Sequence, residues 1–230
     1  MNRAIVAAAS LVGFALTARA DYIIKERIEH SGQVQQITLE IKDKKVRLDT
    51  GEQTSAVIDS ESGVTTLLIH ANKAFLKISP EEIKEQTKAL KEMLGQKLED
   101  PADVQLKATG KQEKINGFDT EEYTTIFNGI QMSLSIAKQY PNYQKIVGAL
   151  YQVQNGPAMD AFRSMSIPPD KYPGLPIRTT QTIMGQKIVM TLDSAQETDL
   201  PDADFAIPAD YKELNPPVTE KRAPSEKSQR

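Results

Sequence analysis

The chain has 230 residues, 39% of them hydrophobic, with a formal net charge of −3 and no cysteine. The missing cysteine excludes disulfides, thiolate metal sites and thiol nucleophiles, so packing and not covalent staples must hold the fold. The mild acidity and the lack of a basic stripe argue against a nucleic-acid partner, because neutralising phosphates takes clustered lysine and arginine.

The first twenty residues, MNRAIVAAASLVGFALTARA, carry Arg3, an apolar stretch from Ala4 to Leu16, and Ala18-Arg19-Ala20. This is the pattern of a secretory leader with an A-x-A cleavage site, and cleavage is expected after Ala20. The apolar stretch falls short of the ~20 residues that a membrane-spanning helix needs. Losing Arg3 and Arg19 takes the formal charge from −3 to −5. The expected division is a leader (1–20), one domain (21–214) and a tail (215–230) too poor in apolar residues to fold. The expected location is the periplasm or exterior of a bacterium, with no transmembrane segment in the mature chain.

Residues 21–79 read as a meander of short strands. Tyr22, Ile24 and Ile28 fall on one face of DYIIKERIEH, against Lys25, Arg27 and Glu29. Ser31-Gly32 turns the chain into QVQQITLEIK, where Ile37, Leu39 and Ile41 alternate with polar residues. Asp43-Lys44 leads into KVRLDT, with Val46 and Leu48 inward. SAVIDS and VTTLLIHA flank Glu61-Ser62-Gly63, and AFLKIS follows Asn72-Lys73. The pattern predicts one wet and one dry face.

SPEEIKEQTKALKEMLGQKLE is the clearest helix. Ser79 and Glu82 form a capping box around Pro80 at the first helical position. Ile83, Leu90, Met93, Leu94 and Leu98 form its apolar stripe, which predicts a lid or brace lying on the sheet. Strands resume in VQLKATGKQEKI, FDTEEYTTIF and IQMSLSIAKQY. Asn116-Gly117 between the first two is a hairpin signal, because a type I′ turn needs positive φ at both central residues. Glu113, Lys114, Asp119, Glu121 and Glu122 are then expected near its solvated end. PNYQKIVGALYQVQ predicts a second helix and AMDAFRSMS a shorter third, followed by the proline-rich IPPDKYPGLP. LPIRTTQTIM and KIVMTLDSAQE predict a hairpin at Gly185-Gln186. LPDADFAIPADY closes the domain, with Phe205 against the core.

The stretches KATGKQEKINGFDTEEYTT, VRLDTG…AVIDSESGVTTLLIHANKAFLKI, GLPIRTT and LPDADFAIPADYKEL together resemble an exported bacterial domain-of-unknown-function family, DUF4412. They occur in the family's order over most of residues 21–214. The resemblance implies a fold similar to the LolA-like periplasmic lipoprotein carrier: a curved antiparallel sheet, an incomplete barrel, with helices in or over its concave face. The family commonly carries a tryptophan on the strand after the hairpin. This chain has none, and Met132 or Leu134 stands in its place.

No constellation for catalysis is present. His30 and His70 are far apart and outside any metal-ligand spacing, and neither a nucleophile elbow nor a phosphate loop occurs. Glu81-Glu82 and Glu121-Glu122 are neighbours, and strand neighbours point to opposite faces, which prevents a shared-proton pair. The reading is a non-enzyme with no catalytic residues, no metal and no cofactor. Met132, Met159, Met165, Met184 and Met190 crowd the C-terminal half; methionine adapts to varied apolar ligands, and equally well fills a core. Phe162 and Met165 are expected to form a floor or gate, while Tyr140, Tyr143 and Tyr151 are expected to cap the helix–sheet contact.

The predicted class is therefore α+β, a curved antiparallel sheet of about nine to eleven strands with two or three helices. The expected function is binding or carriage of an apolar ligand, a lipid or lipidated chain, at Met132, Leu134, Met159, Phe162, Met165 and Met190. The alternative is a cell-envelope interaction or structural module, with a protein partner, whose concave face is filled by its own helices.

Overall fold

The computed structural model describes residues 20–94, 101–154, 166–183 and 185–214. The first six strands are β1 (Asp21–His30), β2 (Gln33–Lys42), β3 (Lys45–Thr50), β4 (Thr54–Asp59), β5 (Thr65–Ile69) and β6 (Ala74–Ile78). Each pairs antiparallel with the next. Helix α1 (Pro80–Leu94) follows, then β7 (Lys107–Ile115), β8 (Phe118–Phe127) and β9 (Ile130–Ala137). Helix α2 (Tyr143–Gln154), β10 (Leu175–Ile183), β11 (Gln186–Thr198) and β12 (Lys212–Glu213) complete the order.

All twelve strands belong to one sheet, in the order β12-β6-β5-β4-β3-β2-β1-β11-β10-β9-β8-β7. Two local meanders, β1 to β6 and β7 to β11, are joined where β1 pairs antiparallel with β11. The sheet does not close into a barrel, since β12 and β7 lie at opposite edges. Twelve strands exceed the expected nine to eleven. The extra one, β12, has two residues and runs parallel to β6. Its backbone bonds, from the Lys212 amide to the Lys73 carbonyl (2.9 Å) and from the Leu214 amide to the Phe75 carbonyl (2.7 Å), need no side-chain periodicity. Two α-helices occur among the described residues; the third expected helix falls on 158–166, of which all but Ser166 lie outside them.

The capping box at α1 forms as expected. The Ser79 amide and hydroxyl both donate to Glu82 Oε2 at 2.8 Å, and the Glu82 amide donates back to Ser79 Oγ at 3.2 Å. These bonds hold the Glu82 carboxyl below the usual glutamate range. Ile83 is partly buried, while Leu90, Met93, Leu94 and Leu98 lie outside the described side chains.

The Asn116-Gly117 hairpin is also present, with φ of +50° and +86°. Its end is exposed as expected at Lys114, Asn116, Gly117 and Asp119, but it is also tied to neighbouring strands. Asn116 Nδ2 donates to the Leu192 carbonyl on β11 at 2.7 Å, and Glu113 accepts from Ser135 Oγ on β9 at 2.8 Å. Glu113 also meets Arg178 of β10 at 3.4 Å, and Glu121 meets Lys138 at 2.6 Å. The hairpin folds back on its neighbours, an arrangement no local pattern encodes.

Both faces of the sheet are covered in part, not one. Tyr22, Ile24, Ile41, Val46, Leu175, Ile177 and Leu192 form the larger core, onto which Ile146 of α2 packs, 2% exposed. On the opposite face, Val57, Leu68 and Phe75 are covered by Leu200 and Phe205 of the closing segment. Alternation explains the split: Ile58 pairs with Val46 on the first face, so its neighbour Val57 must point to the second.

Polar clamps fasten the closing segment. Lys42 meets Asp202 at 2.9 Å, Arg47 Nη1 donates to the Asp204 carbonyl at 2.6 Å, and Lys73 meets Asp210 at 2.8 Å. His70 lies 2.7 Å from the Tyr211 hydroxyl through Nδ1 and 2.6 Å from Ser55 Oγ through Nε2. Ser55 is 2% exposed while His70 and Tyr211 are partly buried, so this chain of hydroxyl, imidazole and phenol is a part-buried tie between the sheet and the C-terminal segment.

Two substitutions test this packing. Tyr211→Phe leaves the His70 ring nitrogen without its partner and should cost about 1–2 kcal/mol in denaturant unfolding. Gly174 precedes β10 where a Cβ would strike the Ala137 carbonyl oxygen, a backbone atom that cannot step aside. Gly174→Ala should therefore cost about 1–3 kcal/mol, read as a fall in the denaturation midpoint.

Candidate functional site

Between α2 and the first face of the sheet lies a cavity of about 380 Å³. Its volume lies in the ~300–1,000 Å³ span of small-molecule sites. The floor comes from β1, β2, β9, β10 and β11, through Ile24, Leu39, Met132, Ile177, Met190 and Leu192. The roof is Ile146, Val147 and Leu150 of α2, three positions on one side of the helix. Ile167, Pro169 and Tyr172, around a 3₁₀ turn at Pro169–Lys171, close one side.

Two β-bulges shape the floor. On β11, Lys25 pairs with Ser194 but Glu26 with Leu192, so Asp193 is the extra residue. On β10 the register breaks between Pro176 and Arg178, leaving Ile177 unpaired and aimed at the core. Pro176 has no amide to give to a ladder, which suits it to a bulge. Bulges bend strands and re-aim side chains, and here two adjacent ones sit beneath the cavity.

The expected ligand residues separate. Met132 and Met190 both line the cavity. Leu134 is 1% exposed and packs with Tyr123 and Ile136, adjoining Met132 but outside the cavity wall. Met159, Phe162, Met165 and Met184 lie outside the described residues. Tyr140 and Tyr143 pack against the larger core as helix–sheet caps, and Tyr140 receives the Ala195 amide at 3.2 Å. Tyr151 does not join them, at 45% exposed.

One wall residue escaped the sequence reading. Glu26 lines the cavity, opposite Leu192 on β11 and Ile37 on β2. Burial pushes its carboxyl above the usual glutamate range, and Asp193 adds to the rise. Tyr172 faces it across the cavity; burial raises the phenol well above its ordinary value, and Glu26 raises it further. The signal lay in Tyr22, Ile24, Glu26, Ile28: an acid at the third place of an otherwise apolar alternation. Glu40 is also raised, by burial first and then by Asp204, but it sits on the opposite face beside Arg47 and outside the cavity. His70 and Ser55 likewise lie outside its wall.

Among the described residues no helix is long and apolar enough to cross a membrane. The chain is similar to PNGF-II at 12% identity and a TM-score of 0.38, over 86% of its own length but 31% of the PNGF-II chain. It thus spans about a third of that protein. An uncharacterised conserved protein from Thermus thermophilus shares the fold at 10% identity and a TM-score of 0.50, covering 86% of this chain and 91% of that one. A LolA superfamily protein from Nitrosomonas europaea is similar at 11% identity and a TM-score of 0.32, over 83% and 90%. No curated protein matches the sequence. The family-level match spans residues 23–211, from β1 through the closing Tyr211, and the chain belongs to DUF4412, a domain of unknown function.

Proposed function

We propose that this chain is an exported, non-enzymatic binding or carrier protein that takes one aliphatic chain, from a lipid or lipidated polypeptide, into the cavity under α2. The observation that carries this reading is the cavity itself. It is walled mainly by aliphatic and methionine side chains, in a face that is otherwise well packed. An apolar pocket that opens to solvent leaves its lining in contact with water, and an aliphatic chain seated there removes that surface from water. Met132 and Met190 suit the site because unbranched thioethers adjust to chains of differing length.

The second reading, an envelope interaction module with a self-filled face, draws support from Ile146. That residue seats α2 firmly on the sheet and leaves only part of the face open.

Native mass spectrometry of the protein purified from a bacterial periplasm separates the two. The carrier reading expects an adduct that extracts as lipid, and a rise in melting temperature when a free aliphatic ligand is added. A clean apo mass with no thermal shift on adding fatty acid or phospholipid favours the interaction module. Met190→Trp and Leu150→Trp fill the cavity from floor and roof. Each should weaken aliphatic binding by about tenfold or more while the fold persists, judged by circular dichroism.

A further inference from the structure

The cavity under α2 is not uniformly apolar. Its wall contains one carboxyl group, Glu26, and among the described residues it contains no lysine, arginine or histidine. Alternation along β1 sends the neighbouring Lys25 and Arg27 to the other face, where Arg27 Nε donates to Asp193 at 2.9 Å. No hydrogen bond or ion pair joins Glu26 to another described residue. Among the described residues, the groups around it are Asp193 at the bulge of β11, itself paired with Arg27, the Tyr172 phenol from the side wall, and uncharged Ile37 from β2. Thr179 and Gln181 from β10 and Ile146, Val147 and Leu150 from α2 add no charge. Among the described residues the cavity wall carries no positive charge, so an anionic head placed there would meet Glu26 with like charge.

Resting on the reading of the cavity as an aliphatic site, we propose that its ligand is a cationic amphiphile. A single alkyl chain lies against Met132, Met190 and Leu150, and an ammonium head donates to the Glu26 carboxylate. Glu26 is partly buried, so its carboxylate is partly stripped of water, and a charge-assisted bond from the ligand offsets that loss in the bound state. A carboxylate ligand would meet Glu26 with like charge. A hydroxyl head would bond to Glu26 but bring no compensating charge. Because burial raises the Glu26 carboxyl above the usual glutamate range, it is neutral at acid pH and ionises only as pH rises through that elevated value. Ammonium binding therefore strengthens with rising pH across this window, whereas binding of the alcohol does not follow it.

The test compares dodecylamine, dodecanol and dodecanoate below their aggregation concentrations, by calorimetry on the intact mature protein and on Glu26→Gln. The expected result is that the amine binds about tenfold or more tightly than the carboxylate, the scale of a hydrogen bond to a charged group. Glu26→Gln should remove this preference and the pH dependence while leaving the alcohol within about twofold, because the isosteric amide keeps the cavity's shape. Equal affinities for the three heads, or an amine preference that survives Glu26→Gln, would overturn the head-group assignment and leave the aliphatic cavity standing. If none of the three binds to the folded protein, the aliphatic reading itself falls and the head-group assignment falls with it.

Discussion

The pairing of β1 with β11 is the constraint on which the other features depend. Every other antiparallel pair is a neighbour in its own meander or is bridged by a single helix-containing connection, but this one joins strands from opposite ends of the domain. Closing so long a loop costs chain entropy that only a continuous ladder and a shared core can offset. The ladder supplies ten paired positions from Asp21 to His30. It also brings Ile24 beside Ala195, Glu26 beside Leu192 and Ile28 beside Met190. The larger core and the cavity floor are both built across this seam, so neither meander possesses the site alone.

Coverage of the two faces follows from the path of the chain. The first meander turns Val57, Leu68 and Phe75 away from α2, and the closing segment returns across the sheet to cover them. The clamps at Lys42, Arg47, Lys73 and His70 are spread along the first meander, so the segment is held at several points and not by one contact. Both sheet edges are unattractive for further strand addition: β12 is two residues long, and β7 carries Lys107, Lys111 and Lys114.

A carboxyl group at an apolar position conflicts with local packing rules, and such conflicts concentrate at sites of function. Glu26 stands where the Asp193 bulge changes the register of β11, with Tyr172 across the cavity. Glu82, Glu113 and Glu122 have partners close at hand, whereas Glu40 Oε2 is buried without one on the opposite face. Glu26 differs from Glu40 in lining the cavity.

Much of the fold was legible locally. Alternation marked the strands, Ser79 and Glu82 marked the start of α1, and Asn116-Gly117 marked a turn whose positive φ values ordinary side chains resist. Met132 and Met190 could be named as apolar-ligand residues because their places in period-two strands assign them to one face. Local pattern could not tell a cavity from a core: Leu134 shares the face of Met132 but is sealed by Tyr123 and Ile136, contacts set by strand order and by the bulges. Nor could it reveal that Glu113 and Asn116 reach β9, β10 and β11, or that two residues near the C-terminus form a parallel strand. The sequence by itself determined which residues share a face within each regular stretch of strand, because that depends only on backbone geometry. The tertiary structure decided which inward residues touch, which leave a void, and that Glu26 lines it, because those outcomes depend on pairings between distant parts of the chain.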